Sequence, residues 1–281
     1  MTHARQSITP KLRRWIVEQA RSGQTPEAVL AAMRASGWDE DVAVEAMELT
    51  LRDVLAEQGL PPPVPVPAPD LAGSPSTLRA HDRDVQVLMQ MNAPRVVVFG
   101  DLLSAGECAQ LIELARPRLA RSETVQQATG GTEVNAARTS RGMFFRRGET
   151  ELVARIERRI AALVNWPLEH GEPIQVLHYQ PGAQYEPHYD YFDPAQPGTP
   201  AILRRGGQRV GTLVMYLNTP ARGGGTTFPA VGLEVGATTG NAVFFSYDRP
   251  HPATKTLHGG APVLEGEKWV ATKWLRERAF T

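Results

Sequence analysis

The sequence has a single cysteine, no excess of charge of either sign and no apolar run long enough to cross a membrane. Because Cys108 stands alone, no disulfide can form within the chain, which is typical of proteins in the reducing cytoplasm. The 30 basic and 30 acidic residues balance, so the charge does not indicate a nucleic-acid or membrane partner. The first residues also lack the apolar core of a secretory signal. We therefore expect a folded, cytoplasmic protein with neither kind of partner.

The first part of the chain has the pattern of a helical bundle. Residues 8–58 predict three short helices, because the Thr-Pro pairs at 9–10 and 25–26 are typical helix starts and apolar residues recur at helical spacing. The loop Ser36-Gly37-Trp38 resembles a loop of the ubiquitin-associated type of three-helix module. We expect residues 1–60 to form a small bundle that either docks on the rest of the chain or binds another protein.

A proline-rich stretch follows the bundle, with six prolines between residues 61 and 69. Proline rings favour the extended polyproline II backbone, so residues 61–80 predict a semi-rigid linker rather than a packed element. Docking in the aromatic groove of a partner is the alternative. This division predicts a second domain over residues 81–281.

In the second domain the predicted helices come before most of the predicted strands. A strand is predicted at 95–99, Ser104 and Glu107 form a capping box at the start of a helix that contains Cys108, and another helix is predicted over 149–164. Short strands separated by glycine- and proline-rich loops are predicted at 173–179, 185–191, 209–217, 242–248, 253–257 and 268–275. This order predicts an α+β fold with a sandwich or barrel of strands.

Two histidines and one aspartate suggest a metal site. His188 and Asp190 lie two positions apart in a predicted strand, so their side chains point to the same side. With His258, which follows a later strand, they could occupy one face of a metal and leave the opposite positions open, as in the facial triad of non-haem Fe(II) sites. His251 is an alternative third ligand, although the prolines on both sides of it indicate a surface turn. A solvated or locally bonded His-x-Asp pair is the alternative to a metal site.

Lys268 suggests an anion beside the metal. Its neighbours on the same side of the predicted strand are Val270, Thr272 and Trp274, and an ammonium group on such a face is costly to bury without an anion. The distal carboxylate of 2-oxoglutarate would be such an anion, while its keto-acid end binds the iron. Thr226, which follows three glycines, could donate a hydrogen bond to the same carboxylate.

Five segments with these residues fall in order along the second domain. They are Gln175-Val176-Leu177-His178-Tyr179, Tyr185-x-Pro187-His188-x-Asp190, Gly223-Gly224-x-Thr226-x-Phe228-Pro229, His258-Gly259-Gly260-x-Pro262-Val263 and Gly266-x-Lys268-Trp269-x-x-Thr272-Lys273-Trp274. Over residues 95–278 the chain thereby resembles the prolyl 4-hydroxylases of the Fe(II)/2-oxoglutarate dioxygenase superfamily. The resemblance implies a double-stranded β-helix, or jelly-roll, with the metal site at its open end.

The resemblance also implies a role for each site residue. Fe(II) would be held by His188, Asp190 and His258, 2-oxoglutarate by Tyr179, Thr226, Lys268 and Trp274, and the peptide by Arg138 and Tyr185. Apart from the resemblance, Tyr191 flanks the metal pair on the other side from Tyr185 and could offer a second aromatic surface to a proline ring. The polar segment 123–142 would close over the peptide, and a solvated connector is its alternative. For Arg138 the alternative is a surface ion pair, and for Trp274 it is simple core packing. Ascorbate dependence is expected on the same ground.

We therefore expect a dioxygenase that uses O2 and 2-oxoglutarate to hydroxylate a prolyl residue in a peptide or protein, with release of succinate and CO2. One alternative is a related dioxygenase that acts on another side chain or on a free amino acid. A second alternative is a non-catalytic binding protein with the same fold and a degenerate site. The complete set of triad residues favours an enzyme.

Overall fold

The computed structural model describes residues 6–57, 59, 63–121, 124–126, 131–133 and 139–281, and the chain forms two compact units, Met1–Pro63 and Val64–Thr281. Residues 56, 57, 124–126 and 131–133 are described by their backbone alone. Within these ranges no helix combines the length and the apolar character that a membrane crossing needs.

The first unit is a bundle of the helices α1 (Pro10–Arg21), α2 (Pro26–Ala35) and α3 (Glu40–Glu57). The hydroxyls of Thr9 and Thr25 accept hydrogen bonds from backbone N–H groups of the first turns of α1 and α2. The buried apolar side chains are Leu12, Ile16, Val29, Met33, Ala43 and Ala46. The three predicted helices are confirmed. The likeness to ubiquitin-associated modules stays a prediction.

The proline-rich stretch differs from the predicted linker. From Val64 onward it lies on the second unit, where the backbone N–H of Val64 bonds the carbonyl of Asp248 at 2.8 Å and that of Ala68 bonds Val164 at 2.9 Å. Pro67 is buried beside Gly211, at which a Cβ atom would lie only 2.7 Å from the proline ring. A proline-rich composition indicates an extended backbone, but it does not reveal that an apolar ring packs against a neighbouring surface.

The second unit begins its first strand inside the predicted linker and continues with strands to its end. The strands are β1 (Thr77–Ala80), β2 (Arg83–Asn92), β3 (Arg95–Gly100), β4 (Ala120–Arg121), β5 (Thr124–Gln126), β6 (Gly131–Glu133), β7 (Arg141–Phe145), β8 (Ile174–Tyr179), β9 (Tyr185–His188), β10 (Arg209–Tyr216), β11 (Arg222–Gly223), β12 (Thr226–Phe228), β13 (Leu233–Val235), β14 (Ala242–Ser246), β15 (His258–Gly260), β16 (Val263–Glu265) and β17 (Lys268–Arg276). The helices are α4 (Ala105–Ala115), α5 (Glu151–Leu163) and the short α6 (Thr199–Leu203).

Two antiparallel sheets form the jelly-roll. The major sheet has the order β1-β2-β3-β14-β10-β17-β8-β7-β4, and the minor sheet has the order β13-β12-β15-β9. Side chains of both sheets meet in one buried cluster, which includes Tyr216 and Phe245 of the major sheet and Phe228 of the minor sheet. The opposite face of the major sheet packs on α4 and α5. The α+β class and the double-stranded β-helix are therefore confirmed.

Strand β17 shows how the alternation of side chains places the site. Trp269, Ala271 and Leu275 belong to the core under the helices, and Lys273 on that side pairs with Glu157 at 2.5 Å. The alternate residues point toward the minor sheet, where Val270 joins the core between the sheets. A single strand thus contributes one face to the helical core and the other face to the interior of the jelly-roll.

Two strand predictions are corrected near the metal candidates. Residues 253–257 are not a strand, because Pro252–Thr254 form a 3₁₀ turn that the His251 side chain caps, and Lys255 has φ 55°. The strand predicted at 185–191 ends at His188, so regular alternation does not continue to Tyr191. In both places a turn or bend replaces the extended backbone that the sequence pattern suggested.

Candidate active site

His188, Asp190 and His258 come together where the minor sheet faces the major sheet. His258 of β15 is the register partner of His188 at the end of β9, and Asp190 follows two residues later. The Nε2 atoms of His188 and His258 lie 3.6 and 3.4 Å from different oxygens of Asp190. One ligand atom from each residue lies within 4.8 Å of the others, which is close enough to hold a single metal ion.

Backbone carbonyls fix the orientation of both imidazole rings. His188 Nδ1 lies 2.8 Å from the carbonyl oxygen of Glu186, and His258 Nδ1 lies 2.9 Å from that of Thr256. A carbonyl can only accept, so each Nδ1 donates its proton and each Nε2 keeps a free lone pair. This arrangement is typical of metal-binding histidines, whose second nitrogen is bonded to a carbonyl or carboxylate.

The protonation states of these residues also suit a cation. Burial, together with the charge of His258, lowers the pKa of His188. Burial alone would raise the pKa of Asp190, but the positive charge that His258 carries when protonated outweighs burial and holds this pKa well below its usual range. A neutral imidazole and an ionised carboxylate are the forms that bind a divalent metal.

Thr212 is a site residue that the sequence reasoning missed. Its Oγ1 donates to Asp190 Oδ2 at 2.7 Å and lies 3.1 Å from the hydroxyl of Tyr247. Because the hydroxyl fixes one carboxylate oxygen, Thr212 orients the ligand without touching the metal position. The available signal was a hydroxyl residue within the otherwise apolar run of residues 210–216.

Arg209 is a second residue near the site that the sequence reasoning missed. It lies 3.9 Å from Asp190 Oδ1 and is itself held by the buried carboxylate of Glu172, at 2.7 and 2.9 Å. Its guanidinium also lies over the ring of Trp274, 4.1 Å from the ring centroid. Only the folded topology brings Glu172 to Arg209, so the sequence has no local signal for this contact.

We expect the substitution Thr212→Val to weaken Fe(II) binding by roughly 10- to 100-fold, because it removes the hydrogen bond that orients Asp190 while keeping the side-chain shape. Titration of Fe(II) into the metal-free protein measures the effect. Thr219→Val is the matched control, since the Thr219 hydroxyl bonds Thr239 in an exposed loop. Equal Fe(II) affinity in Thr212→Val and wild type would contradict the orienting role.

One cavity opens on the three side chains and gathers most of the predicted site. Of the predicted residues, those that line it are Tyr179, Tyr185, His188, Asp190, Thr226, His258, Lys268 and Trp274. Leu177, Val214 and Val270 add apolar walls. Residues from both sheets, distant in sequence, therefore converge on one space, as the residue types predicted.

Lys268 is buried in this cavity without a counter-ion. Its Nζ lies 5.4 Å from the centre of the Tyr179 ring, and no ion pair of Lys268 occurs in the part of the chain that the structure describes. Burial lowers its pKa from 10.5 to about 8, and Glu234 opposes this shift from a distance. An ammonium group in such surroundings favours an anionic ligand.

Two further donors in the cavity fit an anion. Thr226 Oγ1 accepts a hydrogen bond from the Tyr216 hydroxyl at 2.8 Å, so its own hydrogen remains available to donate. Trp274 Nε1 is buried and has no acceptor among the described residues. The ammonium, the hydroxyl and the indole N–H thus suit a carboxylate, which accepts several hydrogen bonds.

Neither His251 nor His178, the two neighbouring histidines weighed against the predicted residues, joins the triad. His251 caps a turn through its Nδ1, which accepts from the backbone N–H of Ala253 at 3.0 Å. His178 faces the opposite side of β8 from Tyr179, where it stacks on Trp269 with a centroid distance of 4.2 Å and contacts Glu267 at 2.7 Å. The preference for His258 and Tyr179 over these neighbours agrees with the geometry.

The predicted peptide-binding residues fall into three different situations. Tyr185 stacks on His188 with a centroid distance of 3.8 Å and lines the cavity. Tyr191 is 6% exposed, stacks on Tyr189 and is not among the residues that line the cavity, so its contact with a peptide stays a prediction. Its placement was predicted from a strand that in fact ends at His188. Arg138 lies outside the described residues.

The segment 123–142 is described only in part. It contributes the hairpin of β5 and β6, and its end is fixed beside the cavity, where Gln184 donates its backbone N–H to the hydroxyl of Thr139 at 3.0 Å. Gln184 immediately precedes Tyr185. The end of the segment is therefore attached next to the cavity wall that Tyr185 forms.

Comparison with known proteins agrees with this chemistry. Residues 174–276 match the profile of the 2OG-Fe(II) oxygenase superfamily. Prolyl 4-hydroxylase 5 of Arabidopsis thaliana is 41% identical over 209 residues, covering 66% of this chain and 70% of the relative. Probable prolyl 4-hydroxylase 3 of the same plant is 40% identical over 203 residues, covering 65% and 69%. A solved structure of viral collagen prolyl hydroxylase from Paramecium Bursaria Chlorella virus-1, a 2OG complex, is 29% identical, covers 64% of this chain and 95% of that chain, and has a TM-score of 0.49.

Proposed function

Because this chain belongs to the prolyl 4-hydroxylase family, we propose that its substrate is a prolyl residue within a peptide or protein. The chain is a 2-oxoglutarate-dependent dioxygenase that uses Fe(II), O2 and 2-oxoglutarate. The observation that carries the proposal is a single cavity that holds both the His-Asp-His group and Lys268, for which the described residues offer no ion pair. A non-catalytic binding protein would have no need for both features together.

The proposed reaction places one oxygen atom of O2 in the hydroxylated proline and the other in succinate. A C–H bond of the proline ring becomes C–OH with one oxygen atom of O2, and the other oxygen atom enters succinate as 2-oxoglutarate loses CO2. Two electrons come from the proline and two from 2-oxoglutarate. Fe(II), when bound, supplies the oxidative chemistry, and the protein supplies orientation and exclusion of water.

The residues of the cavity divide this work. We assign the metal to His188, Asp190 and His258, whose free Nε2 atoms and ionised carboxylate face a common point. We assign the distal carboxylate of 2-oxoglutarate to Lys268 and Thr226, with Tyr179 and Trp274 beside them. The apolar walls exclude water and strengthen these electrostatic contacts.

A peptide, rather than free proline, fits the surroundings of the cavity. A site for a free amino acid needs polar groups that pair with both the ammonium group and the carboxylate of that amino acid. The cavity offers one buried cation, Lys268, which 2-oxoglutarate would occupy. Tyr185 presents a ring at the wall, beside the attached end of segment 123–142. We infer that the peptide passes along this wall and that the segment covers it.

Product mass tests the proposal. The purified full chain with Fe(II), ascorbate and 2-oxoglutarate should add about 16 Da, one oxygen atom, to a proline-containing peptide and release succinate in equal amount. The matched control is the same peptide with alanine in place of proline. Conversion of free L-proline and of no peptide would overturn the proposal.

Ascorbate dependence and a cytoplasmic location stay predictions from the sequence. If the enzyme depends on ascorbate, a reaction without ascorbate should stop turning over 2-oxoglutarate earlier than one that contains it.

We predict that the first unit is not needed for the chemistry, because every proposed site residue belongs to the second unit. A chain of residues 64–281 should bind Fe(II) and turn over 2-oxoglutarate like the full chain, and loss of its iron would contradict this.

A chain of residues 76–281 should be less stable than the chain of residues 64–281 by roughly 1–3 kcal/mol, since it loses the two backbone hydrogen bonds of Val64 and Ala68. Thermal melting measures this as about 2–4 °C for each kcal/mol.

A further inference from the structure

The proline-rich stretch is a sequence motif that the proposed function leaves unused. Its prolines alternate with small apolar residues from Pro63 to Pro69. The structure assigns neither helix nor strand to residues 63–69, so the stretch is not part of either sheet. Proline fixes φ and leaves carbonyls free, which favours the extended polyproline II form. The chain therefore carries, at its own surface, a peptide of the class that we propose as its substrate.

Pro65 and Pro67 differ in their exposure. Pro65 is exposed, whereas Pro67 is buried beside Gly211. The backbone bonds of Val64 to Asp248 and of Ala68 to Val164 hold the stretch on both sides of Pro65. The stretch is thus held at two points, and the ring of Pro65 between them faces outward.

We propose that Pro65 is a hydroxylation site and that a second copy of this chain modifies it. This inference rests on the proposed function. None of residues 64–69 lines the cavity with the metal triad, so the docked stretch does not reach the active site of its own chain. Pro65 can enter another molecule's cavity after the stretch lifts from the surface, without unfolding of the sheets. A C–H bond of its ring becomes C–OH, with 2-oxoglutarate and O2 converted to succinate and CO2 as above.

A mixture of two full-length chains tests this. The substrate is ¹⁵N-labelled His258→Ala, which we expect to be inactive, and the enzyme is unlabelled wild type with Fe(II), ascorbate and 2-oxoglutarate. Trypsin releases residues 53–79 as one peptide, because neither Lys nor Arg lies between Arg52 and Arg79. This peptide contains no methionine or tryptophan, so a gain of about 16 Da, one oxygen atom, reports proline hydroxylation rather than oxidation of those side chains.

We expect the labelled peptide to gain this mass only when wild type and 2-oxoglutarate are both present, and fragment ions to place it on Pro65 and not on Pro67. Labelled Pro65→Ala/His258→Ala is the matched control and should remain unmodified, with a melting temperature like that of His258→Ala. The initial rate should rise with the concentration of the labelled chain. Modification of Pro67 in place of Pro65, or an unchanged gain in the control, would overturn the assignment.

An external proline peptide distinguishes failure of the Pro65 assignment from failure of the proposed hydroxylase function. If wild type hydroxylates an external proline peptide but leaves the labelled chain unmodified, Pro65 is not a substrate and the proposed function stands. If neither is modified, both fail. Binding gives a readout independent of turnover: a fluorescent peptide of residues 61–69 should bind full-length His258→Ala in an anisotropy assay, and unlabelled external peptide should displace it. Absence of binding would count against Pro65 as a substrate.

Discussion

Full-length His258→Ala should lose turnover of 2-oxoglutarate and most of its bound iron while keeping its fold. The physical reason is that His258 supplies one of three ligand atoms that lie within 4.8 Å of one another. Two remaining ligands on one face hold Fe(II) weakly, and the open positions lose their fixed geometry. Iron content after purification, Fe(II) titration and succinate release measure the three effects. Because His258 belongs to the three-residue strand β15, its substitution leaves the helices and the nine-stranded sheet in place, and circular dichroism should be unchanged.

The same experiment has a control within the chain. His251→Ala removes a histidine that caps a turn and is absent from the group of metal candidates. It should keep iron and turnover, with at most a loss of roughly 0.5–2 kcal/mol of stability from the missing cap. Activity in His258→Ala together with inactivity in His251→Ala would show that the third ligand is misassigned.

The alternation of residues within strands made much of the site predictable. Val270 and Trp269 face opposite sides of β17, and the same rule separates Lys268 from the residues that pack on the helices. His188 and Asp190 were predictable as a pair because they are two apart in an extended segment, whereas the choice of His258 over His251 depended on the segment around His258 and its distance from Lys268. The alternation and the spacing of residues within one strand can be recognised in the sequence without knowing which strands pair.

Contacts that depend on strand pairing were not predictable. Glu172 pairs with two arginines, with Arg276 Nε at 2.6 Å from the same carboxylate oxygen that lies 2.7 Å from Arg209 Nε. These residues are far apart in sequence, and each alone is typical of a surface charge. A buried charge that loses its partners is strongly destabilising, so such a network has to be formed as a whole. The docking of Pro67 and the burial of Tyr191 were missed for the same reason, because both depend on a surface contributed by other elements.

Lys268→Met should raise the 2-oxoglutarate concentration required for turnover while leaving iron binding intact. Loss of one partner of a buried charge pair costs about 2–5 kcal/mol. This corresponds to roughly 30-fold to several thousand-fold in apparent affinity. Lys268→Arg should also bind 2-oxoglutarate poorly, because a planar guanidinium does not replace a compact ammonium group in a closed cavity. Lys255→Met is the control, since it removes the same charge at an exposed turn.

The pH dependence gives a second test of Lys268. Burial lowers its pKa to about 8, so in the absence of 2-oxoglutarate the ammonium form is lost above that pH. Since the carboxylate binds the charged form, wild-type affinity for 2-oxoglutarate should fall as the pH rises above about 8, and that of Lys268→Met should not. The unfolded chain keeps the proton up to the usual pKa of 10.5, so between these values the lysine makes the ligand-free protein more stable as the pH rises. Thermal melting across this range should show the rise in wild type and its absence in Lys268→Met. A parallel pH profile of 2-oxoglutarate affinity in the two proteins would exclude Lys268 as the carboxylate partner.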